Sequence, residues 1–111
     1  MTTNEKISSD INIKIANWLK HEHIYEEIWM NPITYQNYWI DFLHDRNQQV
    51  WIIDELVKRG YRVDIYFSEH GADVRIWHND SHVDISITSD KIDDSAFLNA
   101  VEQIIDMEEI K

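Results

Sequence analysis

Histidine and carboxylate pairs are the residues of this chain whose spacing could do chemistry, and each competes with a plainer use. His21-Glu22-His23 offers two imidazoles. Positions i and i+2 face opposite sides of a strand and lie about 200° apart on a helix, so one regular element does not present both to a metal. His78 and His82 flank a turn with Asp80 and Asp84 beside them; they could approach each other, but histidines of a surface turn are the better reading of the pattern. Asp64 and Asp73 fall on neighbouring strands, as the carboxylates of a metal nuclease would, yet the basic residue between the strand faces is Arg75 and not a lysine. A cross-strand charge network of Asp64, Arg75 and Asp84 on a solvent face accounts for the same residues. No serine sits on a nucleophile elbow or beside a base. The sequence therefore reads as non-enzymatic, with no catalytic residue, metal ligand or cofactor to assign.

Composition narrows the classes further. A chain of 111 residues with 43% hydrophobic content, five Trp, five Tyr and three Phe can cover one core, which implies one domain spanning residues 1–111. Two Gly and one Pro leave no material for a Gly-rich phosphate cradle. The absence of Cys excludes disulfides, thiol chemistry and Cys-ligated zinc. The first residues lack a basic segment followed by an apolar one, and no window reaches membrane-spanning length, so a cytoplasmic protein is expected.

The net charge is −11, and it is unevenly placed. Residues 1–59 hold nine acids and six bases, whereas residues 60–111 hold twelve acids and four bases. Such a field repels nucleic acid and anionic membranes and attracts basic surfaces. Direct nucleic-acid or membrane binding is not expected.

The elements that must position these charges follow from periodicity. Ile7, Ile11, Ile15, Trp18 and Leu19 share one face of a helix, with Ser8, Ser9 and Asp10 near its start. From His21 to Asp45 the pattern breaks into short apolar pieces around an Asn31-Pro32 turn, which implies one or two short strands or an ordered aromatic segment. A second helix over about residues 47–59 carries Val50, Ile53, Leu56 and Val57, with Gly60 placed to end it. Strict alternation then marks three strands: Tyr61 to Phe67, Ala72 to Trp77 and Val83 to Thr88, joined by short polar turns. Asp93, Asp94 and Ser95 start a final helix with Phe97, Leu98, Val101, Ile104 and Ile105 inward. The expected fold is α+β: a small antiparallel sheet, a three-stranded meander with room for one or two further strands, packed with about three helices.

This arrangement resembles the small phage-encoded family described as the phage ABA sandwich domain. The resembling stretch runs from Val57-Lys58-Arg59-Gly60-Tyr61 through Val63–Phe67 and Val74–Trp77 to the helix containing Ala96, Leu98, Ala100 and Val101, with Tyr38-Trp39 ahead of it. It covers roughly two-thirds of the chain and rests on patterns, not on a diagnostic motif; the closing helix here is acidic where the family's is alanine-rich. The resemblance implies a phage or prophage origin and an accessory role in the bacterial host's cytoplasm, and supplies no catalytic residues.

Two surfaces are candidates for binding. The outward side of the meander would carry Asp64, Tyr66, Asp73, Trp77 and Asp84, unless the 35–42 segment covers it. The last helix and its approach would carry Asp90, Asp93, Asp94, Glu102, Asp106 and Glu109. Carboxylates one helical turn apart lie ~5–6 Å from each other, and those two apart on a strand ~6.5 Å, comparable with successive phosphates. The leading expectation is a phage-type inhibitor of anti-CRISPR or anti-restriction kind, which occupies the groove of a basic nucleic-acid-binding bacterial protein by DNA mimicry. The alternative is an adaptor or homodimer that pairs through aromatics around Trp29, Tyr38, Trp39 and Trp77, with the charge serving solubility only. A blander use of the acidic face, solvation alone, stays open beside both.

Overall fold

The computed structural model describes residues 3–91 and 94–110. Three helices and two three-stranded antiparallel sheets make an α+β fold. The first helix, α1, spans Thr3–Trp18, so it starts ahead of the Ser8-Ser9-Asp10 cluster. It ends on a left-handed residue, Lys20 (φ 63°), and the His21 amide returns to the Ala16 carbonyl at 3.0 Å. This six-to-one bond is a Schellman ending, and it turns His21 back toward the core.

The 21–45 segment holds more regular structure than its sequence implies. Strands β1 (Glu22–Tyr25), β2 (Ile28–Asn31) and β3 (Gln36–Trp39) form a sheet in that order. Each strand has four residues, too few for alternation to stand out. The two turns place Glu26 (φ 50°) and Tyr35 (φ 60°) in the left-handed region, where a sequence reader expects Gly or Asn. Asn31 compensates in the second turn: its Oδ1 accepts the Ile33 amide at 2.9 Å, and its carbonyl accepts the Tyr35 amide at 2.7 Å.

Helix α2 spans Arg46–Lys58. Asp45 is its N-cap, accepting the Asn47 and Gln48 amides, and Gly60 follows its end at φ 96°. The loop before it is unusually well tied. Gln48 Nε2 donates to the Trp39 carbonyl at 2.7 Å, and its Oε1 accepts the Asp41 amide at 2.8 Å. Gln49 donates to the carbonyls of Phe42 and Leu43 and to Asp94 Oδ2, while Asn12 Oδ1 accepts the Phe42 amide. Both glutamines are buried, and these bonds offset the desolvation of their amides.

The expected meander is present as β4 (Tyr61–Ser68), β5 (Gly71–His78) and β6 (Asp84–Ser89). Register pairs Val63 with Ile76 and Ile85, and Ile65 with Val74 and Ile87, so these side chains share the inner face. Helix α3 (Ser95–Ile110) packs on β5 and β6, α2 on β4, and α1 on α3. The core between these layers includes Ile15, Phe42, Ile52, Leu56, Ile76, Phe97, Val101, Ile104 and Ile105, all fully buried. Burying each such side chain contributes about 1.5–3 kcal/mol, and this drives the helices onto one face of the sheet. None of the described helices is long and apolar enough to cross a membrane.

Candidate functional site

The outer face of the meander is built by register. Its first row is Arg62, Trp77 and Asp84; the second is Asp64, Arg75 and Ser86; the third is Tyr66, Asp73 and Thr88. Residues directly opposite in antiparallel strands project to the same side, so the alternation that buries Val63 and Ile76 also gathers these nine. All are exposed except Trp77, which is half-buried. Tyr66 is 63% exposed, so neither the 35–42 segment nor any other described element lies over it.

What half-covers Trp77 is Arg75. Its guanidinium sits 4.6 Å from the Trp77 ring centre and makes a two-pronged pair with Asp84, Nε to Oδ1 at 3.1 Å and Nη2 to Oδ2 at 2.9 Å. The bonded guanidinium holds the Asp84 carboxyl below the usual carboxylate range, and Asp84 in turn raises Arg75 further. One edge of the face is thus a fixed Trp77–Arg75–Asp84 stack. The other edge differs: Asp64 and Asp73 lie diagonally across the β4–β5 pair, beside Tyr66, and neither makes an ion pair among the described residues. These residues border a shallow depression of about 370 Å³ that also takes in Thr88.

The acidic residues of α3 are arranged otherwise. Lys14 Nζ reaches Asp106 at 2.8 Å and Glu102 at 3.3 Å, and these bonds, Asp106 foremost, raise the lysine. Arg59 Nη1 donates to both oxygens of Glu108 at 2.7 and 2.9 Å, while the same carboxylate accepts from Trp18 Nε1 at 3.4 Å. Asp94 receives the Gln49 amide. Glu109 and Asp90 are exposed and make no ion pair among the described residues; Asp93 lies outside them. Because α3 packs on the inner side of the sheet, its carboxylates and those of Asp64, Asp73 and Asp84 belong to different layers. The candidate residues therefore do not merge into a single patch: the sheet gathers five, while of the helix-side candidates Glu102 and Asp106 are partners for Lys14 and Asp94 is a partner for Gln49. Sequence spacing placed these acids correctly along their elements, but the cations that meet them come from 49 to 92 residues away.

Of the two turn histidines, His78 is used within the fold and His82 is exposed. His78 Nδ1 accepts the Asp80 amide at 3.0 Å, so Nε2 carries the proton it donates to the Arg59 carbonyl, also at 3.0 Å. Both ring nitrogens are thereby occupied. No group of three His, Cys, Asp or Glu side chains able to hold a metal occurs among the described residues.

Two features escaped sequence reading. On the N-terminal sheet Trp29 and Tyr38 turn inward, so they are not surface aromatics; the opposite side carries the row Tyr25, Ile28 and Trp39, of which Tyr25 is 68% and Trp39 62% exposed. Inside, His21 lies edge-on between Tyr38 and Trp51, with ring centres 5.5 and 5.4 Å away. Desolvation lowers the His21 imidazole from its ordinary value and raises the Tyr38 phenol. The lone signal for this cluster was a histidine directly after a helix end. Compared with family models, curated proteins and solved structures, the chain gives no match in any of the three.

Proposed function

We propose that the protein is a non-catalytic inhibitor that docks the outer face of its 61–89 sheet on the basic nucleic-acid groove of a bacterial defence or nucleic-acid-processing protein. The observation that carries this reading is the pair Asp64 and Asp73: exposed, diagonal across neighbouring strands and in no ion pair among the described residues, since Arg75, opposite Asp64, is engaged by Asp84; the open ring of Tyr66 lies beside them. An aromatic anchor among unpaired charges is what a docking surface uses for affinity, and the −11 net charge steers it toward cationic partners. The DNA-mimic surface is narrower in this form than a whole acidic half, since Lys14 and Arg59 engage Glu102, Asp106 and Glu108. The phage-family resemblance of the 57–101 stretch points to the same kind of accessory role.

The test is capture from bacterial lysate at low and high salt, in parallel with Asp64→Lys/Asp73→Lys. The captured protein should bind nucleic acid, be released by added DNA, and be lost with the variant; capture that ignores ionic strength or survives the charge reversal would refute the proposal. A second reading, an adaptor or homodimer, is favoured by the Tyr25–Ile28–Trp39 row, where two exposed aromatics flank a half-buried Ile28, since exposed apolar side chains grouped in this way mark interaction sites. Light scattering separates the two, because a dimer that Trp39→Ser dissociates belongs to the second.

A further inference from the structure

Where the N-terminal sheet meets α2 there is a cavity of about 120 Å³, lined among others by His21, Asn31, Ile33, Trp51, Asp54, Glu55 and Lys58. Its inner polar groups are two deeply buried side chains, His21 at 9% exposure and Asn31 at 4%. Each has one hydrogen-bonding atom committed to the protein and one left over. Asn31 Oδ1 holds the Ile33 amide, which fixes the side-chain orientation and leaves Nδ2. His21 Nδ1 bonds the Tyr38 hydroxyl at 2.7 Å, which leaves Nε2. Neither leftover nitrogen has a protein partner, and neither is sealed from solvent, so both open on the cavity that their side chains line. Open to solvent, these nitrogens can exchange water for a ligand, and a cavity of this size accommodates about five or six heavy atoms, since about 150 Å³ holds benzene.

We propose that this cavity is a binding site for a small uncharged carboxamide. The Tyr38 hydroxyl has no other acceptor among the described residues, which assigns it as the donor to Nδ1 and places the imidazole proton on Nε2. Two N–H donors, Asn31 Nδ2 and His21 Nε2, are then available within one cavity to a carbonyl oxygen. Asp54 stands at the rim to accept the amide N–H, and the Trp51 ring and Ile33 contact the alkyl part. A carboxylate offers the same oxygens, but the rim sets two carboxylates, Asp54 and Glu55, against one ammonium, Lys58, and the whole chain carries −11. That field disfavours an anion. The carboxamide could be a free small molecule or the side chain of a Gln or Asn on a partner. This inference is independent of the docking face on the other sheet.

The experiment is a titration of the full chain with propanamide, followed by two-dimensional ¹⁵N NMR. Saturable shifts of the Asn31 side-chain amide and the Trp51 indole N–H are expected at millimolar concentration. His21→Phe should weaken binding about tenfold, the loss of one hydrogen bond, and Asp54→Ala, on the exposed rim, by a few-fold. Should His21→Phe fail to fold, Asp54→Ala still reads the site. N-acetylglutamine methylamide binding more tightly than propanamide assigns the source to a partner side chain; the reverse assigns it to a free amide. The proposal is overturned if propanoate binds as well as propanamide, if the shifts persist undiminished in the variants, or if nothing saturates below about 100 mM, which leaves water as the sole occupant.

Discussion

Replacing Arg59 with Met should destabilise the protein far more than an ordinary surface substitution. Arg59 sits at the end of α2, with its side chain 31% exposed, and grips Glu108, which is 24% exposed, through two bonds of 2.7 and 2.9 Å. Its guanidinium also lies 4.6 Å from the Trp18 ring centre and reaches the Trp18 carbonyl at 3.4 Å. One cation thus joins the closing turns of all three helices. A hydrogen bond to a charged partner contributes roughly 1.5–3 kcal/mol, and the stacking on Trp about 0.5–1 kcal/mol. Glu108 left alone near a helix C-terminus costs about 0.3–1 kcal/mol more. Allowing for the water that reaches the site, the loss comes to about 3 kcal/mol. Urea unfolding should show this as a midpoint lower by about 1.5–2 M, with the slope unchanged. The pair Arg59→Met/Glu108→Leu should recover part of the loss, giving a coupling of about 1.5–3 kcal/mol. A loss under about 0.5 kcal/mol, or strictly additive single effects, would refute the claim that the α3 carboxylates are structural.

Three further outcomes follow from the same geometry. Gly71→Ala should cost several kcal/mol in chemical denaturation, about 3 or more, because Gly71 has φ 134° and an added Cβ would stand 1.8 Å from the Ser89 carbonyl oxygen on β6. Gln49→Leu leaves the Phe42 and Leu43 carbonyls and the Asp94 carboxylate short of a donor, and should lower thermal stability by about 2–3 kcal/mol. His21 should make stability fall in mild acid: burial lowers its folded value, so the unfolded chain takes the proton first as pH drops through about 6.5. Stability is full above that pH, declines below it, and levels off once the folded imidazole also titrates. Comparing wild type with His21→Phe between pH 7 and pH 5 isolates the effect, and identical slopes would exclude it.

The meander was legible because strands of six to eight residues with one inward face write period-two alternation into the sequence, as at Tyr61, Val63, Ile65 and Phe67. The end of α2 was legible from Gly60. The N-terminal sheet was not: its strands are four residues long, and its left-handed turn positions are Glu26 and Tyr35, held by tertiary packing and the Asn31 side chain instead of by glycine. The candidate surface divided along the same line. Which side of β4 and β5 carries Asp64, Tyr66, Asp73 and Trp77 follows from alternation alone. That Lys14 would reach across to Glu102 and Asp106 does not, because such pairing depends on how helices cross.

The two adjacent glutamines in the first turn of α2 address mainly main-chain atoms of residues 39–43, besides the carboxylates of Asp45 and Asp94. They act as a template for the path of the connection between the two sheets. Exposed positions along that path, such as His44, are consequently open to replacement by other residue types, whereas a single inserted or deleted residue would put every amide out of step with its mate. Tolerance there is for identity and not for length, the opposite of what surface loops usually allow.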